Sequence, residues 1–128
     1  MLLFGHPYIP SPLFYHIATQ EAIEHTPPNS YICIEFHEKN LDIIRYMQEQ
    51  KLSFALICNT VNELIFAHNL DASFIVVESD LGKTAQKIAE NYLFDAKILV
   101  RIHSDEQIET LAFEGIDGGI FKEAVIKI

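Results

Sequence analysis

Apolar residues recur along this chain in short, nearly unbroken runs. Tyr31–Phe36, Ser53–Cys58, Phe74–Glu78, Lys97–Ile102 and Gly118–Phe121 are the clearest of them. Their Ile, Val, Leu and Phe content suits a pleated, buried surface. Between the runs, apolar positions take the three-to-four spacing that turns one face of a helix inward. Leu41 to about Gln50 is the first such segment, with Asn40 as its cap. Thr60 with Glu63 makes a capping box for a second helix ending near Asn69. Ser79 or Asp80 opens a third, which lines up Leu81, Ala85, Ile88, Ala89 and Tyr92. Ser104 opens a fourth, with Ile108, Leu111 and Ala112 on one face. The tail Glu123–Ile128 carries no clear pattern.

Strands that are apolar throughout need cover on both faces, which helices on either side of a parallel sheet provide. The short strand-to-helix links leave no room for hairpins, so crossovers join parallel strands. The pattern predicts one α/β domain over residues 1–128. Its fold is layered, a mostly parallel sheet of five to seven strands flanked by helices, either flavodoxin-like or partial-barrel-like. A repeat supports the alternation. Leu70-Asp71-Ala72-Ser73-Phe74, Phe94-Asp95-Ala96-Lys97-Ile98 and Ile116-Asp117-Gly118-Gly119-Ile120 share an order of apolar, Asp, small, any, apolar. Each copy leads from a helix into a strand, where the Asp can accept turn amides.

The first thirty residues are different. All five prolines lie at or before Pro28, and no Lys or Arg precedes Lys39. Ser11-Pro12 reads as the start of a helix to His25. The rival reading is a strand over Leu13–Ile17 and a short helix from Thr19. Leu2–Phe4 is a further candidate strand.

Composition narrows the function classes. The chain has 18 acidic and 9 basic side chains and a formal charge of −9. Phosphate backbones need positive neutralisation, so no nucleic-acid partner is expected. The apolar start Met1–Phe4 lacks a basic flank and stops at Gly5, too short for a signal or membrane span, so no membrane partner is expected. Cys33 and Cys58 sit inside apolar runs without a Cys-x-x-Cys partner, which fits buried thiols in a cytoplasmic protein.

Ligands of parallel α/β folds bind beyond the carboxyl ends of the strands. The residues delivered there are the candidates. His6, His37, Asp80 and His103 are the catalytic set, because imidazoles and a carboxylate can move protons or hold a metal. Glu35, Asn59, Glu78, Lys122 and Tyr8 are the binding set. No short ligand spacing such as His-Glu-x-x-His assigns a metal, and the sequence names no cofactor. Nucleotide signatures fail: Asp80-Leu81-Gly82-Lys83-Thr84 holds a Gly-Lys-Thr without the upstream glycine of a phosphate loop.

Residues 31–122 resemble the receiver domain of bacterial response regulators in their five-strand rhythm. That resemblance places Glu78 near the phosphoacceptor position and Lys122 near the final-strand lysine. Gly115-Ile116-Asp117-Gly118 looks like the family's approach to its last strand. It implies a doubly wound sheet and a phosphorylated switch. The sequence departs from the family in three places. Glu35-Phe36-His37 supplies one carboxylate in place of an acidic pair. Glu78 stands where Asp would take phosphate, and Ile102 or His103 stands where Thr or Ser is usual. Two functions follow as expectations. The first is a non-enzymatic regulatory or interaction domain, with Tyr8 and Ile9 meeting a protein partner or a second copy in a homo-oligomer. The second is a small metal-dependent hydrolase using the strand-end histidines.

Overall fold

A computed structural model describes residues 1–128, and every long apolar run forms a strand. The strands are β1 (Leu2–Phe4), β2 (Phe14–His16), β3 (Tyr31–Glu35), β4 (Phe54–Ile57), β5 (Phe74–Val77), β6 (Lys97–Arg101), β7 (Gly118–Ile120) and β8 (Val125–Lys127). Helices α1 (Leu41–Glu49), α2 (Val61–Asn69), α3 (Ser79–Asn91) and α4 (Asp105–Phe113) occupy the successive connections between β3 and β7. No helix is long and apolar enough to cross a membrane.

All eight strands form one sheet in the order β1-β7-β6-β5-β4-β3-β2-β8, and every pair is parallel. From β2 to β7, sequence neighbours are sheet neighbours. A doubly wound sheet reverses its strand order and opens a crevice at the reversal. No such reversal lies between β3 and β7, so the topology implied by the receiver-domain resemblance does not hold. The sheet instead curls into a half-barrel. Six places separate β1 from β2 in the sheet, about 29 Å if it were flat. Yet the rings of Phe4 and Phe14 lie 5.0 Å apart, centroid to centroid.

This curl changes how the two faces are covered. Neighbouring residues on a strand point to opposite faces. Phe54 and Leu56, Ile75 and Val77, and Ile98 and Val100 pack outward against Ile44, Met47, Leu64 and Ala85 of the helices. Ala55, Ile57, Phe74, Val76 and Leu99 point inward with Phe4, Phe14, Cys33 and Ile120. No α-helix contributes to the inner cluster. The continuous apolar runs are therefore buried on both faces, but helices cover one and the sheet's own curvature covers the other.

The amino-terminal region resolves in favour of the strand. β2 pairs with β3 on one side and β8 on the other, and only a 3-10 turn at Glu21–His25 follows it. The tail gives an eighth strand, one more than the sequence pattern supports. Gly5 brings the two sheet edges together. Its φ is +88°, and a Cβ there would lie 2.8 Å from the Ala124 nitrogen, just before β8. Only glycine meets both demands.

Local caps are partly as expected. The Thr60 hydroxyl accepts the Glu63 amide, and Ser104 with Gln107 forms a full capping box. Asn40 does not cap α1 with its side chain; its amide donates to the Glu35 carbonyl instead. Of the repeated aspartates, Asp117 accepts a backbone amide, from Ile98 at 2.9 Å. Asp71 receives the Gln48 side chain at 2.8 Å.

Candidate functional site

The inner face changes character along the strands. Phe14, Tyr31 and Phe74, the first residues of β2, β3 and β5, meet one another and Phe4, the last residue of β1, edge to face or tilted, with centroids 4.9 to 6.4 Å apart. The two-residue period then carries each strand toward its carboxyl end. Phe14 gives way to His16, Cys33 to Glu35, Leu99 to Arg101, Ile120 to Lys122 and Val125 to Lys127. These side chains surround a cavity of about 450 Å³ whose apolar wall includes Val76, Ile120 and Val125. That volume falls within the range of about 300–1,000 Å³ typical of small-molecule sites.

Strand register fixes the neighbours. His16 lies beside Lys127 across β2 and β8 and beside Cys33 across β2 and β3. Arg101 donates to Glu78 at 3.0 Å, which holds the guanidinium at the end of β6. Two ion pairs occur in the molecule, Arg101–Glu78 and His6–Asp105, so Lys122 and Lys127 have no acidic partner. Burial lowers the His16 pKa below the usual histidine value. Glu35 opposes that shift, while Lys127 and Arg101 add to it. The imidazole is consequently neutral at pH 7 and can accept or donate a hydrogen bond. The Cys33 thiol is pushed up to about 12, chiefly by burial and further by Glu35, against the pull of Arg101. It remains a thiol near neutrality and is a poor nucleophile. Cys58 is also raised to about 12, by burial and then by Glu63, and lies in the outer core.

The candidates read from the sequence divide among several places. Glu35, Lys122 and His103 line the mouth cavity, and Glu78 stands at its edge on Arg101. His6 and Tyr8 belong to a separate shallow groove against α4. The His6 ring is engaged at both nitrogens: Nδ1 accepts the Tyr8 amide at 3.1 Å, and Nε2 lies 2.9 Å from Asp105 Oδ1. The exposed His37 accepts the Lys39 amide and caps a 3-10 turn. Asp80 is exposed in the first turn of α3. The Asn59 amide donates to the Glu63 carboxylate ahead of α2. No group of three or more His, Cys, Asp or Glu side chains is placed to hold a metal ion. Gly82 of the Gly-Lys-Thr segment is buried in α3, where a Cβ would lie 2.7 Å from Val100 Cγ2. Close helix-to-sheet packing accounts for that glycine.

His16, Cys33, Arg101 and Lys127 complete the cavity and were not among the candidates. The signal for His16 and Arg101 was the strand period itself: each lies two residues beyond a buried inward residue. Lys127 becomes visible only once Val125–Lys127 is known to be a strand. Comparison with protein-family models gives no match, and no curated protein gives a significant match.

Proposed function

We propose that the mouth of the half-barrel binds a small metabolite bearing a carboxylate or phosphate group. The observation that carries this reading is the convergence of Arg101, Lys122 and Lys127 on one concave cavity in a chain of net charge −9. Two of these three cations have no acidic partner. In a concave site with low-dielectric walls, unpaired cations concentrate anions more strongly than they would on a flat surface. Arg101 offers a planar fork to an oxyanion, and the lysines offer point charges. Val76 and Ile120 then suit a short apolar portion beneath the charged head.

Titration calorimetry with sulfate, inorganic phosphate and small dicarboxylates tests this. Binding to the wild type, weakened about tenfold or more in the Lys122→Ala/Lys127→Ala variant, is the expected outcome. That corresponds to about 1.4 kcal/mol or more, within the range for charge-assisted hydrogen bonds. No binding, or equal binding by the variant, overturns the reading.

A protein-facing role has its own observation. Tyr8 is 84% exposed although its backbone is held by His6, and Ile9 beside it is 45% exposed. An exposed tyrosine beside an exposed isoleucine suits a protein partner or a second copy. A mass in solution above that of one chain, reduced to one chain by Tyr8→Ala/Ile9→Ala, supports self-association. A single-chain mass for the wild type removes it.

A further inference from the structure

We propose that anion binding at the mouth is coupled to uptake of one proton by His16, so that the site tightens as the solution becomes mildly acidic. This rests on the anion-site reading above and adds a control to it. The geometry supplies the coupling. His16 lines the cavity beside Lys127 on β8, with Arg101 of β6 contributing positive potential and Glu35 of β3 opposing it. The other titratable groups lining the cavity are Cys33 on β3, Lys122 after β7, and His103 after β6. No carboxylate lies within ion-pair distance of the His16 ring. In the empty cavity, burial and the two cations therefore favour neutral imidazole. Cys33 adds no opposing charge, because its thiol stays protonated to about pH 12.

An anion seated among Arg101, Lys122 and Lys127 reverses this balance. It offsets the repulsion from Lys127 and Arg101 and places negative charge near the ring. Both effects favour imidazolium. The proton that His16 Nδ1 or Nε2 gains comes from solvent, and no covalent bond of the ligand changes. Linkage makes the effect reciprocal: a ligand that raises the proton affinity of His16 is itself bound more tightly when His16 is protonated. The affinity gain reaches at most about tenfold per pH unit for one coupled proton. The range lies between the pKa of His16 in the empty site and its higher value in the occupied one.

Sulfate is the probe, because it stays doubly charged across the histidine range. Its binding is measured by calorimetry between about pH 5 and 8, where histidine titrates, in two buffers of different ionisation enthalpy. The wild type should bind more tightly with falling pH and take up close to one proton. His25→Gln, at an exposed histidine outside the cavity, should retain this behaviour, and His16→Gln should bind sulfate with flat pH dependence and no proton uptake. Flat binding by the wild type overturns the coupling and leaves the anion site standing. Absence of sulfate binding at every pH overturns both. A slope that persists in His16→Gln overturns the assignment to His16. Should that variant fail to fold, the imidazole resonance of His16 in the wild type decides: a midpoint raised by sulfate supports the coupling, and an unmoved one overturns it.

Discussion

The two ends of the half-barrel's inner face share one inward parity, and β2 and β3 contribute to both, yet one end is solid and the other hollow. At the solid end, Phe4, Phe14, Tyr31 and Phe74 fill the space with rings. At the carboxyl end, His16, Glu35, Arg101 and Lys127 hold their charged or polar ends around open volume. On β2 one step of the strand period, Phe14 to His16, separates the layers, and on β3 two steps do, from Tyr31 through Cys33 to Glu35. The difference shows how a small parallel fold divides its labour. Aromatic burial fills the face where β2, β3 and β5 begin, and the positions where strands end are left to charged and polar groups. His6 marks the limit of the pattern. It stands two residues beyond Phe4, but its ring is bound outside the cavity by Tyr8 and Asp105.

The comparison breaks most readily at Phe14, which has no exposed surface and packs against three other rings. Phe14→Ala should destabilise the fold by about 3–5 kcal/mol, the usual cost of removing a buried aromatic side chain. Lys127→Ala at the other end should change stability by no more than about 0.5 kcal/mol, as for a surface residue without a structural partner. Urea unfolding followed by circular dichroism measures both. Similar costs for the two variants would mean that the layers do not divide stability from binding.

Much of this architecture was legible in the sequence, for identifiable reasons. The runs at Tyr31, Phe54, Phe74 and Lys97 are long enough to show as strands, and Thr60 and Ser104 mark helix starts through their side chains. The curl was legible only as one of two alternatives, partial-barrel-like beside flavodoxin-like, because an inward Phe74 and an outward Ile75 look alike in an apolar run. Only the pairing partners decide whether helices or the sheet itself cover each face. Strand order was hidden for the same reason: three-residue strands such as β1, β2 and β8 exist through their pairing and carry little signal of their own. Glu35, Glu78 and Lys122 were accessible as strand-end polar residues. His16 and Lys127 were not, because their strands had not been fixed.

The smallest expected effect lies at His16 and sharpens the comparison, since it concerns a cost borne by the hollow end. The native pKa of His16 is lowered, mainly by burial and further by Lys127 and Arg101. The unfolded chain therefore binds this proton more readily than the folded one. Above the unfolded histidine value of about 6.5, both states are neutral and His16 contributes no pH dependence. As pH falls from there toward the lowered native value, the unfolded state takes up the proton first and stability is lost. Below the native value both states are protonated and the loss levels off. His16→Gln removes this contribution. Its stability relative to wild type should rise as pH drops through that window, in unfolding curves recorded without added anions. Saturating sulfate should shrink the difference, because the occupied site accommodates the protonated ring. Parallel stability curves for the two proteins would show that His16 experiences no such burden, and that the hollow end is electrostatically neutral toward folding.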